Sequence, residues 1–208
     1  MISGRLAIFG AGGHGKVVAE TALASGWGDV DFYDDGYPNK KLTDGRVVLG
    51  DFEDLVFNAA DYQGFHVAIG LNNIRSLLID RLRDLDLGLP NIIHPSAIIS
   101  DTASLLAGVC VLPGVIVNAG SKIGVGVILN SASVIDHDCE IGHGAHISPG
   151  VHLAGGVQVG CRAWVGIGAS VIQGMKIGSD SIIGAGSVVV ADVPNDVTAA
   201  GVPSRVIG

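Results

Sequence analysis

The stretch "VIDHDCEIGHGAHISPG", Val134 to Gly150, repeats a simple pattern every six residues. Ile135, Ile141 and Ile147 open successive hexapeptides, and a small residue stands fifth in each complete one. The same stretch carries three histidines, one thiol and several acids. It therefore raises the question of metal, thiol or histidine chemistry, and the answer depends on the architecture that the surrounding chain imposes.

The six-residue pattern continues without an insertion through 17 hexapeptides, from Ile93 to Pro194. Every first position is aliphatic, every fifth position is Ala, Val, Ser, Cys or Met, and the fourth is Gly in ten of the 17. Aliphatic residues fill a core, small ones pack beside them, and glycine takes turn conformations that are costly for other residues. The pattern predicts an all-β parallel β-helix with three hexapeptides in each coil.

Residues 1–90 have a different character. "RLAIFG", "VDFYDD" and "FHVAIG" are predicted strands, and the segments after the first and third have the apolar spacing of helices. This order predicts a βαβ unit with a parallel sheet, half of a doubly wound Rossmann fold. We therefore expect an α/β domain over 1–90, the β-helix over 91–194 and a C-terminal tail over 195–208.

Composition excludes several classes of function. The formal net charge of −8 argues against nucleic acid as a partner. No apolar run approaches the ~20 residues of a membrane span, and the N-terminal segment lacks the features of a signal peptide. Three cysteines without CxxC spacing argue against a disulfide framework or a zinc ribbon. These features predict a soluble, cytoplasmic protein.

A glycine loop follows the first predicted strand. Gly10, Gly12 and Gly15 fit the G-x-G-x-x-G pattern of dinucleotide sites, but the second half of a dinucleotide fold is missing. A purely structural turn is another alternative. We favour a mononucleotide phosphate cradle, in which backbone N–H groups and the helix N-terminus face the anion. His14 and Lys16 would add polar or cationic contacts.

Polar residues at the ends of the other two strands are expected to complete this pocket. Asp34 and Asp35 end the second strand, where a sugar hydroxyl or a base edge would lie, although a solvated loop would look the same. Gly70, Asn72 and Asn73 end the third strand at the same edge of the sheet.

The hexapeptide register gives each polar residue of the opening stretch a direction. Cys139 is a fifth-position residue and is expected to be buried, as a small apolar side chain and not a nucleophile. His137 and Asp138 occupy the turn and point outward. One coil later the chain has Gly155 and Gly156, which would leave space for a ligand beside His137. An outward histidine next to a carboxylate is a candidate general base.

A metal site is not expected. His143 and His146 lie on other parts of the coil, so they do not converge with His137 within one chain. A zinc site shared between subunits was the alternative, but the ligand spacing does not match one. His143 and His152 are expected at the surface, whereas His146 could meet His137 only across a groove between neighbouring subunits.

The motifs together resemble those of a known family. They are "IFGAGGHGKVV", "YDD", "AIGLNN", "IIHPSAIIS", "ILNSASVIDHDCEIG", "HIS" and "GVPSRV". The chain is similar to bacterial nucleotide-sugar N-acetyltransferases of the left-handed β-helix, or hexapeptide-repeat, acyltransferases. The NeuD-type sialic acid O-acetyltransferases are close relatives.

The resemblance implies residues for each substrate. It makes His137 the catalytic base and Asp138 its acidic neighbour. The residues implied for acetyl-CoA are Asn130, His146, Gly166, Ile167, Ala185, Gly201 and Arg205. The residues implied for the nucleotide-sugar are Gly10, Gly12, Gly13, His14, Lys16, Asp34, Asp35, Gly70 and Asn72. Ser204 departs from the usual alanine of its motif.

The implied activity is transfer of acetyl from the cosubstrate acetyl-CoA to the amino group of a nucleotide-linked sugar, in the synthesis of bacterial glycans such as lipopolysaccharide. The family consists of homotrimers with acetyl-CoA bound between subunits, and no metal is implied. O-acetylation of a sugar hydroxyl and a non-catalytic module that binds nucleotide-sugars are the alternatives.

Overall fold

A computed structural model of the chain describes residues 2–43 and 45–207. Its N-terminal strands are β1 (Ile2–Phe9), β2 (Trp27–Tyr33), β3 (Leu42–Thr43), β4 (Arg46–Val47) and β5 (Gly64–Val67). The helices are α1 (Gly13–Ala24), α2 (Phe52–Phe57) and α3 (Asn72–Asp84), with a 3-10 turn at Ala59–Asp61. Strands β2, β1 and β5 form a parallel sheet in that order. The predicted Rossmann-like unit is confirmed.

The β-helix consists of two-residue strands separated by four-residue turns. These are β6 (Ile92–Ile93), β7 (Ile98–Ile99), β8 (Ser104–Leu105), β9 (Cys110–Val111), β10 (Ile116–Val117), β11 (Lys122–Ile123), β12 (Ile128–Leu129), β13 (Val134–Ile135), β14 (Glu140–Ile141), β15 (His146–Ile147), β16 (His152–Leu153), β17 (Gln158–Val159), β18 (Trp164–Val165), β19 (Ser170–Val171), β20 (Lys176–Ile177), β21 (Ile182–Ile183) and β22 (Val188–Val189). A hairpin of β23 (Thr198–Ala200) and β24 (Arg205–Val206) follows.

Every third strand pairs in parallel with its neighbour one coil away, which gives three flat faces. The first face holds β6, β9, β12, β15, β18 and β21, continued by the hairpin; the second runs from β7 to β22, and the third from β8 to β20. Val134 therefore lies beside His152, 18 residues further along. The predicted β-helix is confirmed, with one hexapeptide on each face of a coil.

The interior of the β-helix is a single apolar column. It is formed by first- and fifth-position side chains, among them Ile135, Cys139 and Ile141, which are almost fully buried. The 14 fourth-position residues from Gly108 to Gly186 all have positive φ angles. Four of them are not glycine, and Asp138 at φ 57° is one of these. A residue other than glycine costs free energy in this conformation and is held there by its surroundings.

The N-terminal domain covers the early coils of the first face. Ile92 and Cys110 of that face are fully buried in one apolar cluster with Val18 of α1. Helix α3 lies along the edge of the β-helix between the third and first faces, where Ile79 occupies the space above Gly126. The later coils of the first face are left open. Among the described residues, no helix is long and apolar enough to cross a membrane.

Candidate active site

The expected pair of His137 and Asp138 forms at the turn between the second and third faces. Nδ1 of His137 lies 2.9 Å from Oδ2 of Asp138. Because the carboxylate can only accept, this contact places the imidazole proton on Nδ1 and leaves Nε2 free to take up a proton. Both side chains are exposed, at 61% and 73%. The arrangement is that of an accessible general base with an acidic partner.

Two glycines in the neighbouring coils accommodate this pair. A Cβ atom on Gly155 would lie 2.5 Å from Cε1 of His137, and one on Gly120 would lie 2.5 Å from Oδ1 of Asp138. We expected Gly155 and Gly156 to leave space beside His137 for a ligand. A Cβ on Gly156 would meet only Cα of Gly174, at 4.0 Å, but the space at Gly155 is not open. The imidazole itself occupies it, so a ligand must approach from another side of the ring.

Two acids act on His137 together. The hydrogen bond to Asp138 and the charge of Asp136 raise the pKa of the imidazole above its ordinary value. Asp136 accepts a hydrogen bond from the backbone N–H of His137 at 2.8 Å and another from Nδ2 of Asn118 at 2.9 Å. Sequence reasoning missed Asp136 and Asn118, although their 18-residue separation places them side by side in adjacent coils.

An open groove of about 410 Å³ lies on the later coils of the first face and the edge beside it. It is lined by residues that include His146, Pro149, Trp164, Gly166, Ile167, Ile182 and Ala185. Four of the seven residues expected at acetyl-CoA are therefore together in one groove. The sequence analysis did not assign Trp164 to this groove, although it is the sixth residue of its hexapeptide, a position whose side chain points outward.

His146 forms the inner end of this groove and is a neutral histidine. Its ring stacks on Trp164, with centroids 5.6 Å apart and an interplanar angle of 9°. Nδ2 of Asn130 lies 3.1 Å from Nε2, and Oδ1 of Asn130 accepts from the N–H of Ser131. Burial, followed by the charge of Arg75, lowers the pKa of His146 to about 3. It is therefore unprotonated at neutral pH and is not poised as a general acid.

The two expected tail residues do not line the groove. The N–H of Gly201 donates to Oγ of Ser187 at 3.1 Å, and the exposed Arg205 guanidinium donates to the carbonyl of Ser204 at 2.8 Å. Both lie on the hairpin that extends the first face. Their assignment to acetyl-CoA stays a prediction.

The glycine loop combines two structural glycines with two open ones. Gly10 has φ 110°, and Gly15 packs so closely on the Gly10 carbonyl that a side chain at either position would clash. Cβ atoms on Gly12 and Gly13 would meet nothing within 4 Å. Helix α1 has no side-chain cap and no acid in its first turn. Its N-terminal N–H groups are thus available to an anion.

Asp34 supports the loop from the neighbouring strand. Its Oδ2 accepts from the N–H of Ala11 at 2.7 Å and from Nζ of Lys40 at 2.9 Å. Burial alone would raise the pKa of Asp34, but its hydrogen bonds with Lys40, Ala11 and Gly36 hold it below the ordinary value. Asp35 is exposed, and its Oδ1 accepts from the N–H of Phe52 at 3.3 Å. Lys16 is also exposed near the loop.

Asn72 faces the β-helix. Its Nδ2 donates to the carbonyls of Arg162 at 2.8 Å and Ala163 at 3.2 Å, and its Oδ1 accepts from Arg75 at 2.8 Å. The polar atoms of this side chain are therefore engaged in the domain interface, and the assignment of Asn72 to the nucleotide-sugar stays a prediction. Gly70 remains open, since a Cβ there would meet nothing within 4 Å.

Arg75 joins the two domains and was not anticipated. The side chain is 1% exposed, and no carboxylate in the part of the chain that the structure describes pairs with it. It donates to the carbonyls of Gly126 and Gly144 in the β-helix, at 3.0 and 2.6 Å, and to that of Ile69 after β5, at 2.9 Å. Burial lowers the pKa of Arg75 to about 10, so it stays charged at neutral pH. His14, half-buried and with an unpaired Nε2, has a pKa lowered to about 4 by burial and then by Arg75.

Within one chain, His137 and the groove lie on different edges of the three-sided β-helix. His137 follows β13, between the second and third faces, whereas Ile167 and Ala185 follow β18 and β21, between the first and second. No group of three or more potential metal ligands occurs within residues 2–43 and 45–207. The described residues thus provide an exposed His–Asp pair, an apolar groove and a glycine loop with open backbone N–H groups.

Comparisons with known proteins place this arrangement in a family. Residues 5–82 match the family model "PglD N-terminal domain". The structure of PerB from Caulobacter crescentus, a perosamine N-acetyltransferase in complex with CoA and GDP-perosamine, is 43% identical, with 99% of this chain and 98% of that chain covered and a TM-score of 0.93. The chain belongs to the nucleotide-sugar N-acetyltransferases of the hexapeptide-repeat superfamily.

Two other solved structures are similar to this chain over nearly their full length. The acetyltransferase domain of PglB from Neisseria gonorrhoeae, in complex with acetyl coenzyme A, is 39% identical over 99% of this chain and 100% of that one, with a TM-score of 0.94. WeeI from Acinetobacter baumannii is 27% identical over 97% and 99%, with a TM-score of 0.86. Among curated proteins, none matched the sequence significantly.

Proposed function

We propose that this chain transfers the acetyl group of acetyl-CoA to the amino group of a nucleotide-linked amino-deoxy sugar, with His137 as the general base. The observation that carries the proposal is the His137–Asp138 contact of 2.9 Å on an exposed turn. PerB, a relative at 43% identity, was solved with CoA and GDP-perosamine, and two further structures of that enzyme carry a substituted histidine.

The chemistry needs one proton acceptor and no covalent acyl-enzyme. The amine must be neutral to attack the thioester carbonyl, forming the C–N bond as the C–S bond breaks. Nε2 of His137 takes the proton from the attacking nitrogen, and the imidazolium then returns it to the departing CoA sulfur. Asp138 stabilises the imidazolium through Nδ1. Cys139 takes no part, because its buried Sγ donates to the carbonyl of Ala154 at 3.3 Å.

The N-terminal domain is proposed to hold the nucleotide-sugar. The open backbone at Gly12 and Gly13 and the uncapped start of α1 support a diphosphate at this loop. Asp34 holds the loop in place, while the exposed Asp35, whose Oδ1 accepts from Phe52, can offer Oδ2 to a ribose hydroxyl or a base donor. NAD is not expected, since acetyl transfer requires no hydride carrier.

A homotrimer is proposed to complete the active site, since the base and the groove lie on different edges of one chain. The second face supports this arrangement because its outward side chains include Ile98, Ile116, Val134 and Val188, which a neighbouring subunit can cover. The outward residues of the third face are all polar: Ser104, Lys122, Glu140, Gln158 and Lys176. A cytoplasmic location stays a prediction.

The activity is tested by steady-state assays of acetyl-CoA against a panel of nucleotide amino sugars and their hydroxyl analogues. N-acetylated products are expected with amino sugars, and His137→Ala should lower the rate ~10²–10⁴-fold. Transfer only to the hydroxyl analogues would identify the O-acetyltransferase alternative. Binding of nucleotide-sugars without any transfer would identify the non-catalytic alternative.

The shared site is tested by mixing two inactive chains. His137→Ala removes the base, and Ile167→Glu places a charge in the groove of the other chain. Mixed trimers should regain activity, because one interface then combines an intact base with an intact groove. Failure of mixed trimers to regain any activity, or a monomer in light scattering at micromolar concentration, would contradict the shared site.

A further inference from the structure

Asp136 makes two hydrogen bonds that do not involve the imidazole of His137. Its Oδ1 accepts from the backbone N–H of His137 at 2.8 Å and from Nδ2 of Asn118 at 2.9 Å. Asn118 occupies the equivalent position one coil earlier, and its own N–H donates to the carbonyl of Ile135. The carboxylate is thus fixed between the preceding coil and the backbone of the proposed base.

Building on the proposed function, we infer that Asp136, held by Asn118, is a positioning residue for His137. It fixes the backbone at the start of the turn and places a second negative charge beside the ring. Asp136 need not touch either substrate for this role, since it acts through His137.

The turn needs such support because its conformation is costly. Asp138 has φ 57°, in the left-handed region that most fourth positions of this helix fill with glycine. A residue held there depends on its surroundings to maintain the conformation. The bond from the His137 N–H to Asp136 lies on the N-terminal side of the strained residue, and the bond from His137 Nδ1–H to Oδ2 of Asp138 ties its side chain to the ring. Together they fix both the backbone and the ring.

The charges around the ring are few. The preceding coil presents Asn118 and Gly120 to the turn, and the following coil presents Gly155. The charged groups that act on the imidazole are therefore Asp136 and Asp138. Hydrogen bonds from the His137 N–H and from Asn118 lower the pKa of Asp136, so it remains ionised while His137 titrates. Its charge favours the imidazolium that forms during transfer.

Two substitutions separate the charge of Asp136 from its hydrogen bond. Asp136→Asn removes the charge and retains an oxygen that can accept from the His137 N–H, whereas Asp136→Ala removes both. Asn118→Ala leaves the charge of Asp136 unchanged but removes the hydrogen bond that its carboxylate accepts from Nδ2 of Asn118. Asp101→Asn, at an exposed turn position two coils earlier on the same edge, is the matched control.

The measurement is the pH profile of kcat/KM, together with an NMR titration of the His137 ring that does not depend on turnover. Asp136→Asn should move the acid limb and the ring titration to lower pH by about 0.3–1 unit. Asp136→Ala should show the same shift and a further drop of about tenfold in the high-pH plateau. Asn118→Ala should lower the plateau with a smaller shift, and Asp101→Asn should change neither.

The outcomes distinguish this inference from the proposed function. A residue that serves only stability would lower the melting temperature without moving the ring titration, and an unchanged titration in Asp136→Asn would overturn the inference. If His137→Ala kept its activity, the proposed base would be wrong, but the NMR titration would still report whether Asp136 acts on that ring.

Discussion

The imidazole of His137 occupies the place that a side chain would take at Gly155, one coil further along the helix. A Cβ at Gly155 would lie 2.5 Å from Cε1 of the ring. The missing side chain in one coil is therefore part of the geometry of the proposed base in the previous coil. Gly155 is not among the residues with positive φ, so space and not backbone conformation explains the glycine.

Gly155→Ala should displace the His137 ring with little effect on folding. We expect kcat to fall by roughly 10–100-fold, because a misplaced base loses its alignment with the amine. The melting temperature should stay close to that of the unmodified chain. Gln173→Ala, at the same exposed position one coil later, is the control. Full activity in Gly155→Ala would show that the ring tolerates displacement.

Trp164→Ala should weaken acetyl-CoA binding selectively. The indole stacks on His146, and its Nε1 donates to Oγ of Ser148 at 2.8 Å, so it shapes the floor of the groove. The KM for acetyl-CoA should rise about tenfold or more, while the KM for the nucleotide-sugar stays nearly constant. Trp164→Phe keeps a stacked ring and should have a smaller effect. Equal changes in both KM values would argue against an acetyl-CoA role for this groove.

Cys139→Ala should cost stability and little activity. The thiol is fully buried in the β-helix core, and burial raises its pKa above the ordinary value. Loss of the sulfur should lower the free energy of unfolding by about 1 kcal/mol. Cys161→Ala, at a half-buried turn position, should cost less. An inactive but well-folded Cys139→Ala trimer would overturn the register-based assignment of this residue.

Arg75→Met should destabilise the contact between the domains. The substitution leaves the buried carbonyls of Gly126 and Gly144 without their donor, which should lower the free energy of unfolding by about 3 kcal/mol or more. Hydrogen exchange should increase first in α3 and in the turns that it contacts. Arg81→Met on the exposed side of the same helix is the control, and equal losses for the two variants would contradict the role of Arg75.

The buried histidines should make stability depend on pH. Burial lowers the pKa of His66 to about 3. Below about pH 6.5, this histidine is therefore protonated in the unfolded chain but still neutral in the folded chain. Stability from this group is complete above about pH 6.5 and is lost progressively as the pH falls toward 3. Urea midpoints at pH 7 and pH 5 should differ less in His66→Gln than in the unmodified chain. The pKa of His137 is raised, so its contribution to stability changes with pH in the opposite direction. The difference between His66→Gln and the unmodified chain therefore reports on the buried His66 ring.

Local periodicity predicted the β-helix because every core position repeats at a fixed interval. It also predicted that His137 points outward and that Cys139 points inward. Contacts between the domains leave no such periodic signal, so Arg75 and the hydrogen bonds from Asn72 to the β-helix were missed. The rule that ligands lie at the ends of parallel strands placed Asn72 at the correct edge of the sheet. The rule does not predict that the side chain of Asn72 hydrogen-bonds to carbonyls of the β-helix.

The first face of the β-helix carries the N-terminal domain on its early coils and the groove on its later coils. Each added coil of 18 residues would lengthen that face by the spacing of neighbouring strands, about 4.8 Å. A whole-coil insertion between Cys110, which packs in one cluster with Val18 of α1, and Trp164, which lies in the groove, would preserve the core pattern. It would also move the two binding regions apart by a fixed step. The number of coils in this region therefore sets the distance between the two binding regions. Changing it would be a way to engineer enzymes for donors and acceptors of different length.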